Sequence, residues 1–412
     1  MRGIYDIIRT LAQRLHQLTF RQNSRLQGSG LLHQWMAPTG LLIALDDRFR
    51  GCLQKQQAAH TAAVLERIQN GKQLRSVGGR IVLYYVASSA AASVFGVIGG
   101  LITQPGKNIT DFTLAGEAAE AADFSMIDNI ISWFPSNIVK AMAEGNMIQI
   151  IVFCLFLGVA LLALGEKASM VIKFIDEGNE IMLKITEYVI AISPIGILSL
   201  MASMVSTVSG AMMKEVIVFI ATIDVTIVIF ALVFYPLVLK FIGHLKVSKF
   251  FKEASASMLV AFTTTSSAAT LPVSIKVADE KLGCSEKVYG FTLPLGNTCN
   301  MDGAAIQFAV VAIFACNLFG IPLTAERIFQ FIFLSLILSI GAAGVKGAGI
   351  IMSTIIIQTL IGDAGLTLIP IIAAVWPTLD PFATCANNVG DLTGTTIVSK
   401  SLGMLNEDIY NS

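Results

Sequence analysis

Apolar residues first run without a charge for long enough to cross a bilayer at Ile81–Ile102, where a helix rising about 1.5 Å per residue covers some 30 Å of hydrocarbon. Charge-poor runs at Met147–Leu164, Ile185–Val208 and Val216–Ile242 predict three further spans. Between the first two, Gln104–Asp128 is polar and carries Asp111, Glu117, Glu120 and Asp123; a short apolar piece then ends at Phe134, before Pro135-Ser136-Asn137. Basic residues collect ahead of the first span, at Lys72, Arg75 and Arg80, and after the fourth, at Lys240, His244, Lys246, Lys249 and Lys252. The positive-inside bias makes both loops cytoplasmic, the four spans between them satisfy that parity, and the acidic loop falls outside.

The C-terminal half is apolar too, but broken where a simple span would be continuous. Ser255–Pro272 gathers hydroxyl residues and closes on proline, and Leu334–Gly349 holds glycines at 341, 344, 347 and 349. Unpaired backbone survives at membrane depth only where protein buries it or a wet cavity takes it, so both segments are predicted to be re-entrant. Close packing by small residues would explain one such segment alone. Two in register, each followed by a carboxylate-bearing span, fit an inverted repeat whose broken elements meet near the midplane.

Those carboxylates are Asp302 in NMDGAA (Asn300–Ala305), and Asp380 and Asp391 in DPFATCANNVGDLTGT (Asp380–Thr395). A carboxylate at depth marks a cation or substrate path by default, and the next basic residue, Lys400, lies at the far end. Carboxylates, Asn amides, hydroxyls and unwound carbonyls form the oxygen-rich set that a hard cation takes. Asp224, alone in its span, is read as an interhelical hydrogen bond.

Composition narrows the class further. Of 412 residues, 54% are hydrophobic and 14% charged, the mean hydropathy is +0.72 and the formal net charge is zero, which favours a membrane and gives no cause to expect a nucleic acid partner. Cys52, Cys154, Cys284, Cys299, Cys316 and Cys385 are scattered singly and read as packing residues. Three of four histidines fall in the first sixty residues, and no nucleophile with a base at a plausible spacing emerges, so no enzyme activity is expected. Met1–Gln69 offers no apolar run of spanning length and, interrupted by Arg9, Arg14, Arg21 and Arg25, is no signal peptide; a cytoplasmic extension with a surface amphipathic helix is expected.

From about Gln69 onward the chain resembles the dicarboxylate/amino acid:cation symporter family, the glutamate transporter superfamily. AFTTTSSAATLP is similar to its first hairpin tip, LPLGNTCNMDGAA to its seventh helix, SIGAAGVKGAG to its second hairpin tip and DPFATCANNVGDLTGT to its eighth helix. The resemblance implies an all-α polytopic membrane protein with inverted repeats and two re-entrant helical hairpins. It implies a multi-pass protein of the cell membrane, a homotrimer among lipids, and no cofactor beyond co-transported sodium. Carried over, sodium ligands fall on Gly296, Asn300, Asn387 and Asp391; on Tyr85, Ser88 and Ser89 with Asn300 and Asp302; and on backbone carbonyls at Thr298, Ser339, Ile340 and Ala342. The substrate's α-carboxylate meets Ser266, Ser267, Val345 and Asn387, with Gly349 in the same pocket, and its ammonium pairs with Asp380. Alternating access is implied, with the second hairpin closing only over bound sodium and substrate.

The departures carry the specificity. The arginine that grips a second carboxylate in acidic amino-acid carriers is Ala383 here, the alternative arginine position is Thr265, and the retained Thr384 carries no charge. A buried carboxylate without its counter-charge costs roughly 2–5 kcal/mol, a factor of about 30 to several thousand in affinity, so a neutral amino acid resembling serine, threonine or alanine is expected. The alternatives are an acidic amino acid or dicarboxylate, coupled to sodium or protons, with Lys346 as substitute cation, and a receptor, channel or inactive truncated relative. The expected layout is a polar segment 1–75 where the family has two apolar helices, a scaffold 76–248, a transport part 249–402 and a tail 403–412.

Overall fold

The computed structural model describes residues 71–109, 134–143, 147–175, 210–342 and 348–411, with isolated positions between 131 and 184, all within one compact unit, Thr61–Ser412. Met1–Gln69, the acidic loop around Asp111–Asp123, the span expected at Ile185–Val208, and Val345 with Lys346 lie outside the described residues.

Twelve helices are described: α1 (Gly71–Thr103), α2 (Ile138–Ala143), α3 (Met147–Leu164), α4 (Gly210–Leu237), α5 (Val247–Thr264), α6 (Ser267–Lys276), α7 (Glu286–Cys299), α8 (Asp302–Leu318), α9 (Ala325–Gly341), α10 (Ala348–Ile361), α11 (Ile369–Ser401) and α12 (Glu407–Asn411). Among the described residues the sole extended pairing is an isolated bridge between Cys284 and Leu405. Among the described residues, four helical stretches have the length and apolarity to cross a membrane: Ser76–Thr103, Gly210–Ile242, Glu286–Leu318 and Ala364–Ser401.

Helix α8 is the centre of the fold, because it is apolar on every side and every residue but Asn317 is buried. Helices α1 and α4 pack directly on it. The glycines of α1 permit this closeness: a Cβ at Gly96 would lie 2.8 Å from the Ile306 carbonyl oxygen, and one at Gly100 2.6 Å from Ile313. Small residues replace bulky ones where membrane helices approach closely. The outward faces of α1 and α4 are apolar and exposed, at Leu83, Ile98 and Ile102 and at Ile217, Leu232 and Leu237.

Both interrupted segments are split into two helices. Helix α5 ends at Thr265, which is left-handed at φ 49°, and Ser266 then caps α6 by accepting from the Ala269 amide at 3.3 Å. The proline expected to close this segment, Pro272, instead lies inside α6. Helices α9 and α10 lie on either side of residues 343–347, and both pack on α8. A third break, not anticipated from the hydropathy, separates α7 from α8 at Asn300 (φ −111°) and Met301 (φ −117°). It splits one 33-residue apolar stretch into two half-helices.

Helix α11 carries Pro377 and Pro381, each missing the N–H that would close a helical turn, on either side of Asp380. At its other end Arg80 Nη1 donates to the Ser401 carbonyl and hydroxyl oxygens, both at 2.8 Å, a cation placed where the helix dipole is negative. The chain then folds back. Ser285 N donates to Met404 O at 3.1 Å, Asn406 N to Gly283 O at 2.8 Å, and the buried Tyr410 hydroxyl to Lys246 O at 3.1 Å.

Candidate substrate and cation site

The break between α7 and α8 sets Asp302 at the first position of α8, fully buried. Its Oδ1 accepts from Ser88 Oγ at 3.1 Å and from Ser89 Oγ at 2.9 Å, both on α1. Its Oδ2 accepts from Tyr235 OH on α4 at 2.9 Å, and the same phenol lies 2.9 Å from the Ala386 carbonyl oxygen on α11. Ser88 Oγ also reaches Asn300 Oδ1 at 3.1 Å, which leaves Asn300 Nδ2 to donate to Asp391 Oδ1 at 2.9 Å. Two buried carboxylates are thus joined through one amide, and among the described residues no basic side chain pairs with either.

Two glycines make the cluster possible. A Cβ at Gly390 would stand 2.9 Å from Asn300 Nδ2, Asp302 Oδ2 and Tyr235 OH at once, and one at Gly296 would collide with Asp391 Oδ1 and Tyr85 OH. Tyr85 OH itself donates to the Thr292 carbonyl at 2.8 Å. Hydroxyl, amide and carboxylate oxygens converging around net negative charge, beside the carbonyl end of one half-helix, suit a hard monovalent cation.

A small, partly open cavity lies next to this cluster, between the two hairpins and α11. Its polar groups come from Thr265 and Ser267 of the first hairpin, Gln307 of α8, and Asp380, Thr384 and Asn387 of α11; Ala342, Gly349 and Ala383 supply small apolar wall. Trp376 Nε1 donates to Asp380 Oδ1 at 2.9 Å, and Asn387 spans cavity and turn, accepting from Gly303 N at 2.8 Å and donating to Met301 Sδ at 3.1 Å. Gly349 lies against the Trp376 ring, where a Cβ would overlap it.

The cavity therefore brings together Ser267, Gly349, Asp380, Ala383, Thr384 and Asn387 of the expected substrate residues. Ser266 does not line it, because its hydroxyl caps α6. Of the expected cation ligands, Ser88, Ser89, Asn300, Asp302 and Asp391 form one hydrogen-bonded cluster, with Tyr85 and Gly296 against it. The Thr298 hydroxyl bonds back to Leu295 O at 2.9 Å. On α9, the Ser339 hydroxyl bonds to Leu336 O at 2.8 Å, the Ser339 carbonyl accepts from Ala342 N at 3.3 Å, Ile340 follows within the last turn, and Ala342 itself faces the cavity. Asp224 differs from its expected role: its Oδ1 is buried with no hydrogen-bond partner among the described residues.

Tyr235 is the member of the cluster that the sequence hid, because a tyrosine in an apolar span reads as packing. Trp376 was hidden for the same reason; its spacing of four from Asp380 on a helix was the available signal. The oxygen-rich, base-poor arrangement agrees with comparisons to known proteins. A sequence model of the sodium:dicarboxylate symporter family matches residues 61–401. The C4-dicarboxylate transport protein 1 of Ralstonia nicotianae is 31% identical, over 72% of this chain and 71% of its own. Excitatory amino acid transporter 3 of Mus musculus is 28% identical, over 82% and 73%, and a proton/sodium-glutamate symport protein of Geobacillus stearothermophilus is 27% identical, over 82% and 81%. With the match running through both hairpins and every carboxylate of the site, the chain belongs to the sodium:dicarboxylate symporter family.

Proposed function

We propose that this chain is a sodium-coupled symporter of a neutral amino acid of serine, threonine or alanine size. Its family makes it a multi-pass membrane transporter that couples a small dicarboxylate or amino-acid solute to a cation, and not an enzyme. The narrower substrate rests on one observation: among the described residues lining the cavity there is a carboxylate, Asp380, and no lysine or arginine, with Ala383 buried in the wall. Asp380 offers the counter-charge for an ammonium, Ser267 and Asn387 offer polar atoms to an α-carboxylate, and nothing described there neutralises a second one.

The relatives' names favour a second reading. They specify C4-dicarboxylate and glutamate transport, which for this chain requires a cation from elsewhere, and Lys346 at the second tip is the candidate. Ala383→Arg separates the two, since a guanidinium fork binds a second carboxylate bidentately and stands unpaired beside serine or alanine. In sodium-loaded liposomes the variant should gain affinity for aspartate and lose it for serine, each by tenfold or more on the scale of about 1.4 kcal/mol per decade. Tight aspartate uptake by the unmodified chain, abolished by Lys346→Ala, selects the second reading.

The moving part is proposed to be larger than residues 249–402. Ser88 and Ser89 of α1 and Tyr235 of α4 share one buried carboxylate with α8, and pulling them away would strand polar groups in a dry interior at about 1–3 kcal/mol each. Helices α1 and α4 therefore travel with the hairpins in this reading. A homotrimer in the cell membrane is the proposed setting, by resemblance to the family.

A further inference from the structure

A second buried polar chain joins the first hairpin to α11, and neither the cation cluster nor the cavity assignment uses it. Successive helix residues point about 100° apart, so while Asn387 turns to Gly303 and Met301, Asn388 turns to the hairpin. Ser257 on α5, Ser274 on α6 and Asn388 are all buried. Ser257 Oγ lies 2.7 Å from Ser274 Oγ, and Ser274 Oγ lies 3.2 Å from Asn388 Oδ1. Asn388 Nδ2 lies 3.1 Å from the Thr384 carbonyl oxygen and 3.5 Å from Ser267 Oγ.

The hydrogens available fix the direction of this chain. A carbonyl only accepts, so the Asn388 atom facing Thr384 is the amide nitrogen and the atom facing Ser274 is the amide oxygen. Ser274 must then give its single hydrogen to Asn388, and Ser257 must give its own to Ser274. The second Nδ2 hydrogen goes to Ser267 Oγ, the longest link of the series. Ser267 thus accepts on its inner side, and its own hydrogen has no acceptor among the described residues except what occupies the cavity that Ser267 lines.

We propose that Asn388 is a positioning residue that orients Ser267 as a hydrogen-bond donor into the cavity, selecting a ligand group that only accepts, a carboxylate. The inference rests on the symport reading, and it assigns to a residue outside the cavity the polarity of a residue inside it. Without that anchor a serine in the first turn of a helix is free to turn its hydrogen to nearby backbone carbonyls.

The test uses the full chain in liposomes under a sodium gradient, with initial uptake of labelled L-serine, L-aspartate and succinate. Asn388→Asp keeps the shape but places acceptors toward both serines, so the Ser267 hydrogen is drawn inward. The KM of the transported solute should rise about tenfold, the scale of one lost hydrogen bond to a charged acceptor, with the maximal rate and sodium dependence retained. In a Ser267→Ala background the same change should raise KM by less than about twofold, because the group through which it acts is gone. Asn388→Leu, similar in size and without polar atoms, should give a smaller rise, about threefold, also lost with Ser267→Ala; it carries the test where the aspartate variant fails to fold. A KM in Asn388→Asp within about twofold of the unmodified chain overturns the inference, as does an equal rise with and without Ser267, which would mean direct charge repulsion or loosened packing. An unmodified chain that accumulates none of the three solutes defeats the symport reading and this inference with it, whereas uptake indifferent to Asn388 defeats the inference alone.

Discussion

Asp302 is held by three hydroxyls from two helices that the sequence separates widely, and each is there because an ionised oxygen in a dry interior has no water to turn to. Tyr235→Phe removes one of them with little change in volume. A bond of this kind, to a charged acceptor, is worth about 1.5–3 kcal/mol, so the variant should unfold earlier on heating in detergent and bind sodium more weakly. A variant with unchanged melting and sodium affinity would show that Ser88 and Ser89 suffice. The carboxylates and Asn300 were legible as polar residues in otherwise apolar runs. Tyr235 and Asn388 were not, since an aromatic in a span and an amide beside a better-placed amide carry no periodic signal of their own.

At the scale of elements, both re-entrant segments could be read because breakers in an apolar run have few tolerable explanations in lipid. The position of the first turn was less exact. The hydroxyl cluster covers Thr263–Ser267, but the chain reverses at Thr265 and Ser266, and Pro272 continues the helix instead of ending it. A proline's effect depends on whether its missing N–H falls among groups that packing can cover, which sequence does not reveal. Thr265 is β-branched at φ 49°, a conformation costing about 1–2 kcal/mol for a side chain with a Cβ. Thr265→Gly should relieve it and raise thermal stability by up to about 1 kcal/mol, after allowing for the greater freedom of glycine in the unfolded chain. A lowered melting temperature would indicate that the Thr265 hydroxyl, 2.7 Å from the Thr264 carbonyl, stabilises the tip more than the backbone strains it.

Across the whole molecule, hydropathy marked charge-poor runs but not which of them share a core: α1 and α4, expected in the scaffold, pack directly on α8, expected in the transport part. The tail is packed as well, with Leu405 bridged to Cys284 and Tyr410 buried. Burial pushes the Cys284 thiol up to about 11, so at pH 7, well below that value, it stays protonated and inert. In a chain with the other cysteines replaced, maleimide should label Cys284 slowly at pH 7. Tyr410→Ala, which opens a cavity at a cost of about 3–5 kcal/mol by analogy with other aromatic truncations, should speed labelling. Fast labelling of the parent chain would mean that the tail leaves its groove.

The cation cluster also bears on how the protein comes into being. Ser88 and Asn300, which share one hydrogen bond, are 212 residues apart in the chain, and the amide of Asn300 is completed only by Asp391. During synthesis the early helices therefore emerge long before the groups on α8 and α11 that their serines meet in the folded protein. The final step gathers two like charges at close quarters. On the proposed assignment of this cluster, a bound cation is a folding ligand, contributing about 2.7 kcal/mol when present at a hundredfold its dissociation constant. The ion proposed to drive the transport cycle is then also expected to raise the yield of folded protein, and the salt used for extraction from the membrane is expected to change how much of the molecule survives to be assayed.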